Sequence, residues 1–135
     1  MRHRTITTKL GRSTAHRKMM LSNLVCSLIE KKRVVTTITK AKLARQLGEK
    51  MVTLGKDGSL AARRRAVSIL HQKPAVKALF DEIAPQCNDR NGGYIRIVKR
   101  GKRRSDCSEM AIVEWVTLQA PVKKKRKPKE EKAAE

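Results

Sequence analysis

The sequence predicts an α+β fold in two layers, with the order helix, strand, three helices, two strands and a small sheet packed by helices. Three observations predict it. Apolar residues recur at helical spacing in four separate segments. Three short segments are β-branched or alternate apolar with polar, as strands do. The length of 135 residues, 39% of them hydrophobic, suits one domain with a modest core.

Residues 1–14 read as a basic N-terminal arm, 15–118 as the folded domain and 119–135 as a disordered Lys-rich tail. Ser13 or Thr14 caps a first helix from Ala15, whose apolar arc is Met20, Leu21, Leu24, Val25 and Leu28. Lys31, Lys32 and Arg33 suit the negative end of its dipole. The β-branched run "VVTTI" (34–38) is a strand. Thr39 caps a second helix with Leu43, Leu47, Met51 and Leu54 on one side. "GKDG" (55–58) is a turn, and Ser59 caps a third helix with Leu60, Val67 and Leu70 on its inner side. Arg63 falls inside that arc, so either it snorkels along its stem or the arc is misplaced. A fourth helix has Pro74 in its first turn, Val76, Leu79, Phe80 and Ile83 at the i, i+3, i+4, i+7 positions, and Pro85 as its stop. "NDRNGG" is a turn before two strands, 94–100 and 110–116, which form a hairpin with a basic loop at its tip.

Charge narrows the partners. Thirty-three Lys+Arg against 12 Asp+Glu give a net charge of +21, and a domain this cationic repels itself and attracts polyanions. Nucleic acid leads; an anionic membrane is second. There is no 18-residue apolar stretch for a membrane span and no apolar run of a secretory signal. The acid-free, Arg-rich start has the composition of a transit peptide but not its apolar face. Cys26, Cys87 and Cys107 are far apart without CxxC spacing, which reads as reduced cytosolic thiols, not a disulfide framework or zinc site. No Ser/His/Asp or Cys/His grouping, carboxylate pair or P-loop is present, so neither an enzyme nor a cofactor is expected.

The candidate RNA-binding residues fall in three groups. Arg2, His3, Arg4, Lys9, Arg12, His16, Arg17 and Lys18 lie in the arm and the start of the first helix, where an extended cationic chain can follow a phosphate backbone. His3 and His16 have no cysteine partner nearby for a metal, and bonding to RNA sugar or phosphate is the better reading. Arg96, Lys99, Arg100, Lys102, Arg103 and Arg104 put six cations within nine residues of the hairpin, with Asp106 and Glu109 the only local acids. A charge run is commonly a solvated loop, but two strands pin this one and its arginines can grip phosphate bidentately. Gly92 and Gly93 mark a tight turn or a close approach of backbone to phosphate. Trp115 reads as core, and Tyr94 is open between core and base stacking. The block "KKKRK" (123–127) resembles a nuclear localisation patch, though added electrostatic affinity is simpler.

"MRHR", "LGR…HRK" (10–18), "SNLVCSLI" (22–29), "TTITKAK" (36–42) and "RNGGYIRI" (90–97), in that order, resemble the bacterial large-subunit (50S) ribosomal protein seventeen family over about residues 1–117. The resemblance implies an α/β ribosomal protein that binds large-subunit rRNA near the exit of the peptide tunnel, beside large-subunit protein thirty-two, in the cytoplasmic ribosome. Carried over by position, it adds Thr36, Thr37, Lys40 and Lys42 to the RNA-binding set and supports Gly92, Gly93, Tyr94 and Arg96. Ser22 stands where the family often has arginine, and Ile95 where threonine is common. The rivals are a nucleoid DNA-binding protein, which should show a dimer seam or a reading helix, and a small nucleic-acid enzyme, which needs a metal or acid/base cluster.

Overall fold

The computed structural model describes residues 8–117. Helix α1 spans Thr14–Lys31 and ends at Lys32 in the left-handed conformation. Strand β1 (Arg33–Thr37) follows at once, then α2 (Ile38–Asp57) and α3 (Leu60–Leu70). Helix α4 (Lys73–Ala78) runs through a π turn (Leu79–Ile83) into a short α5 (Ala84–Gln86). Strands β2 (Ile95–Lys102) and β3 (Glu109–Trp115) close the chain order. The arm's first seven residues and the tail expected at 119–135 lie outside the described residues.

The sheet is antiparallel in the order β1-β3-β2, so β3 is central. Val34 and Thr36 pair with Val113 and Ala111, and Ile95 and Ile97 with Trp115 and Val113; this face meets α2, which touches all three strands. The other face carries Arg33, Glu114 and Arg96 in one row and Val35, Ile112 and Val98 in the next. Trp115 is fully buried, as its place in an alternating strand predicts, and its indole N–H donates to the Leu28 carbonyl at 3.0 Å. Burying that ring also ties the sheet to α1 with a satisfied polar atom.

Several boundaries and faces differ from expectation. The second helix starts two residues early: Thr37, not Thr39, is its N-cap, because β1 runs only as far as the Thr37–Met110 pair. Gly55 lies in the helix and not in a turn, buried with Ala84 against it; the chain reverses at Gly58 (φ +65°). On α2 the buried line is Ala41, Ala44, Gly48, Met51, Val52 and Gly55, while Leu43, Leu47 and Leu54 are half-buried at its flank. On α3 the buried residues are Ala62, Ala66 and Leu70; Leu60 is 64% exposed and Val67 is exposed too. The misplaced arc also accounts for Arg63, which stays exposed and lays its guanidinium over the Phe80 ring, 4.5 Å from the centroid. The buried face of α1 is Ser22, Val25, Cys26, Leu28 and Ile29. Ser22 is a core residue: its hydroxyl donates to the Leu70 carbonyl at 3.0 Å, fastening the end of α3 to α1.

Pro85 does not stop the fourth helix by itself. It has no N–H for a regular helical bond, and the turn before it widens so that the Ala84 N–H reaches the Leu79 carbonyl five residues back. Cys26 and Cys87 are buried and Cys107 is exposed; all three are free thiols. Burial pushes the Cys26 thiol up, with Glu30 adding to the effect.

Candidate nucleic-acid interface

The hairpin is longer and stiffer than a basic loop. Strand β2 continues to Lys102, so Lys99, Arg100 and Lys102 belong to a strand. The register slips between Lys99 and Gly101, leaving Arg100 as the extra residue of a bulge, and Gly101 has a φ of +99°. The remaining tip, 103–108, is closed by backbone bonds from Cys107 N to Arg103 O and from Arg103 N to Ser108 O, both 2.9 Å.

Asp106 organises that tip. It accepts from Arg103 Nε at 2.8 Å and Arg103 Nη2 at 2.6 Å, and from the Ser108 hydroxyl at 2.7 Å. The Arg103 guanidinium first, then the Ser108 hydroxyl, hold the Asp106 carboxyl far below the usual carboxylate range; Asp106 in turn raises Arg103. Arg103 therefore helps to build the tip. Among the described residues no carboxylate lies within ion-pair distance of Lys99, Arg100, Lys102 or Arg104, and all four are exposed. Arg96 is exposed but donates to Glu114 at 2.6 Å, a carboxylate that also faces Arg33 at 3.5 Å.

The second group sits at the start of α2. Thr37 pairs with Met110, which pairs in turn with Gly101, so α2 begins at the same end of the sheet as the hairpin tip. No side chain caps α2, its first turn has no acid, and Lys40 and Lys42 lie within its opening turns. Helix α1 begins the same way, uncapped at Ser13, without acid, and with His16, Arg17 and Lys18 near its start. Cations beside the positive end of a helix dipole are unfavourable for the isolated domain; a phosphate there reverses the sign. Helix α3 shows the ordinary solution, with the Ser59 hydroxyl accepting from the Ala62 N–H at 3.1 Å.

The other candidates are placed as follows. Arg2, His3 and Arg4 lie outside the described residues. Lys9 is exposed, in a turn with Leu10 and Gly11 at positive φ, and Arg12 Nη1 donates back to the Leu10 carbonyl at 3.0 Å. Thr36 faces the core side of the sheet, leaving Thr37 as the accessible member of the pair.

The Gly-Gly-Tyr stretch is occupied from within. Glu49 on α2 accepts from the N–H groups of Gly93 at 3.1 Å and of Tyr94 and Ile95 at 3.4 Å. The backbone donors that a phosphate would use are taken by a carboxylate of the chain itself. Tyr94 is buried, its hydroxyl donating to the Arg90 carbonyl at 3.2 Å, so its ring is core and not a stacking platform. Sequence reasoning missed Glu49; an acid in the middle of a strongly basic helix, with Gly-Gly far along the chain, carries no local signal.

Sequence reasoning also missed a groove of about 720 Å³ between α1, α2 and α3, with Arg17 and Lys18 on its rim. Its signal was the set of half-buried leucines read as core.

The family model described as Ribosomal protein L17 matches residues 20–116. A Large ribosomal subunit protein bL17 from Methylacidiphilum infernorum is 50% identical over 131 residues, covering 97% of this chain and all of that protein. One of the same name from Finegoldia magna is 56% identical over 108 residues, 80% of this chain and 82% of that protein. Another, from Thermodesulfovibrio yellowstonii, is 46% identical over 134 residues and covers 99% of both chains.

Proposed function

The chain belongs to the ribosomal protein L17 family, structural components of the large ribosomal subunit and not enzymes, and from that premise we propose that it binds large-subunit rRNA. It does so through the arm and the start of α1, the start of α2, and the β2–β3 hairpin. The observation that carries this is the pair of uncapped, acid-free helix starts crowded with cations, one of them beside a hairpin whose four exposed cations have no carboxylate partner among the described residues. Phosphate is the anion that satisfies all of them at once.

The mechanism is neutralisation at fixed geometry. RNA helices brought together repel, and a cationic domain between them releases counterions. The sheet and the Asp106-closed tip fix where the hairpin cations point, so recognition follows RNA shape more than base sequence. The site near the peptide-exit region and the contact with large-subunit protein thirty-two rest on the family resemblance of the motifs alone. Thr36 and Tyr94, both buried, support the interface from behind, and Glu49 fixes the exposed Gly92–Gly93 turn through the Gly93 N–H.

Cross-linking in cells tests the proposal. Discrete large-subunit rRNA segments recovered at Arg2–Lys18 and Arg96–Arg104 are the expected result, with cross-links to protein thirty-two at a neighbouring surface. Scattered DNA, or sedimentation away from large subunits, would return the reading to a nucleoid protein.

A further inference from the structure

The groove between α1, α2 and α3 has an apolar floor that the core does not need. Leu21 and Leu43 are half-buried in it without joining the core cluster, and Leu47, Leu54 and Ile69 only flank that cluster. Leaving such leucines against water costs free energy that a bound apolar surface would recover. Its volume, about 720 Å³, is that of a small-ligand site.

The rim fixes the ligand's charge. Arg17, Lys18, Lys50 and Arg65 stand around the floor, and among the described residues no carboxylate lines the groove. Gln46 and Thr53 add uncharged groups; the Thr53 hydroxyl donates to the Glu49 carbonyl, which leaves its oxygen free to accept. The occupant must therefore be flat or apolar in its body, anionic at its edge and able to hydrogen-bond. An unpaired nucleotide meets all three conditions. A protein segment would have to bring several carboxylates into one groove.

We propose that this groove seats an unpaired nucleotide of the RNA, its base on the leucine floor and its flanking phosphates on Arg17, Lys18, Lys50 and Arg65. The proposal rests on the rRNA-binding reading and sharpens it. Arg17 and Lys18 belong to the start of α1, so phosphates held at that helix start lie at the rim of the groove. Aliphatic side chains supply contact without preference among bases, so the seat selects an unpaired position and not a sequence.

Leu43→Lys separates the seat from simple charge. It adds a cation and removes floor, so a groove that acts by charge alone would bind RNA as well or better. The seat predicts about a tenfold loss of affinity for single-stranded RNA, comparable to losing an apolar contact in a pocket, with duplex binding retained. Thermal melting of the variant establishes that it folds. Independently, Thr53→Cys in a Cys107→Ser background, which leaves only the buried Cys26 and Cys87, takes a photo-crosslinker into the groove of full-length protein assembled into large subunits. Cross-links to one or two unpaired nucleotides are expected. Cross-links confined to paired RNA or to a neighbouring protein, in subunits that contain the protein, would overturn the seat and leave rRNA binding intact; so would undiminished single-strand affinity of a folded Leu43→Lys. If Leu43→Lys does not fold, the cross-link decides alone. Protein that never enters the subunit would bring down both.

Discussion

Asp106 and Glu49 show how a chain with so few acids uses them. Both spend their carboxylates on backbone and arginine donors that set the direction of the hairpin, Asp106 at its tip and Glu49 at its root. Replacing Glu49 by alanine strands three N–H groups at the root, with a cost of about 1–2 kcal/mol in a urea melt, because these bonds are charge-assisted and partly exposed. Amide exchange at 93–95 should rise well before the core opens. For Asp106 the sign follows from its lowered folded value: its contribution is complete above the unfolded value of about 3.9 and is lost only as pH falls below that toward the depressed folded value. The tip therefore stays closed across the neutral range. An NMR titration carried into the acid range should place the Asp106 midpoint well below that of an ordinary carboxylate; a midpoint near 4 would mean that the Arg103 pair does not persist in solution. Neither role was legible locally, since Glu49 acts on residues 44 to 46 positions away. Asp106 was visible only as a neutralising charge.

At the scale of elements, α2 is organised by what it lacks. A methyl group at Gly55 would lie 2.9 Å from the Cβ of Ala84, an atom fixed to the backbone that cannot turn aside. One at Gly48 would collide with Ile95 Cδ1, the free end of a side chain that can rotate. Both substitutions gain helix propensity of up to about 1 kcal/mol. Gly55→Ala should nonetheless destabilise by about 1–3 kcal/mol through overpacking, while Gly48→Ala should fall within about 1 kcal/mol of neutral. Chemical denaturation of the two variants gives the order directly, and equal costs would mean that α5 yields as easily as Ile95. The same close approach explains what the sequence concealed. Four helical segments, three strands, the hairpin and the buried Trp115 were readable from spacing. The inner faces of α2 and α3 were not, because ranking residues by size puts Leu43, Leu47, Leu60 and Val67 inside. Where elements pack tightly, alanine and glycine take the contact line and leucine moves to the flank. On α2 those displaced leucines became the wall of the groove, so the error in the core and the missed site have one cause.

For the whole molecule, salt should act on folding and on binding with opposite signs. A net charge of +21 on 135 residues means that the compact free protein repels itself, and the cations at the starts of α1 and α2 add an unfavourable term against the helix dipoles. Screening shortens from about 10 Å at 0.1 M salt to about 3 Å at 1 M, which relieves this repulsion. The melting temperature of the free protein should rise between 0.05 and 0.5 M salt, with sulfate or phosphate more effective than chloride because they can occupy the uncapped helix starts. RNA affinity should fall over the same range. If six or more phosphates are neutralised, the loss between 50 and 200 mM is about a thousandfold or greater. Melting curves and filter binding of one preparation across one salt series test both halves. Two falling curves would place the stability of the fold in its own ion pairs, which the five mostly exposed bridges among the described residues do not favour. A rising melting temperature with falling affinity would show that the same cations that weaken the free domain are those that RNA neutralises.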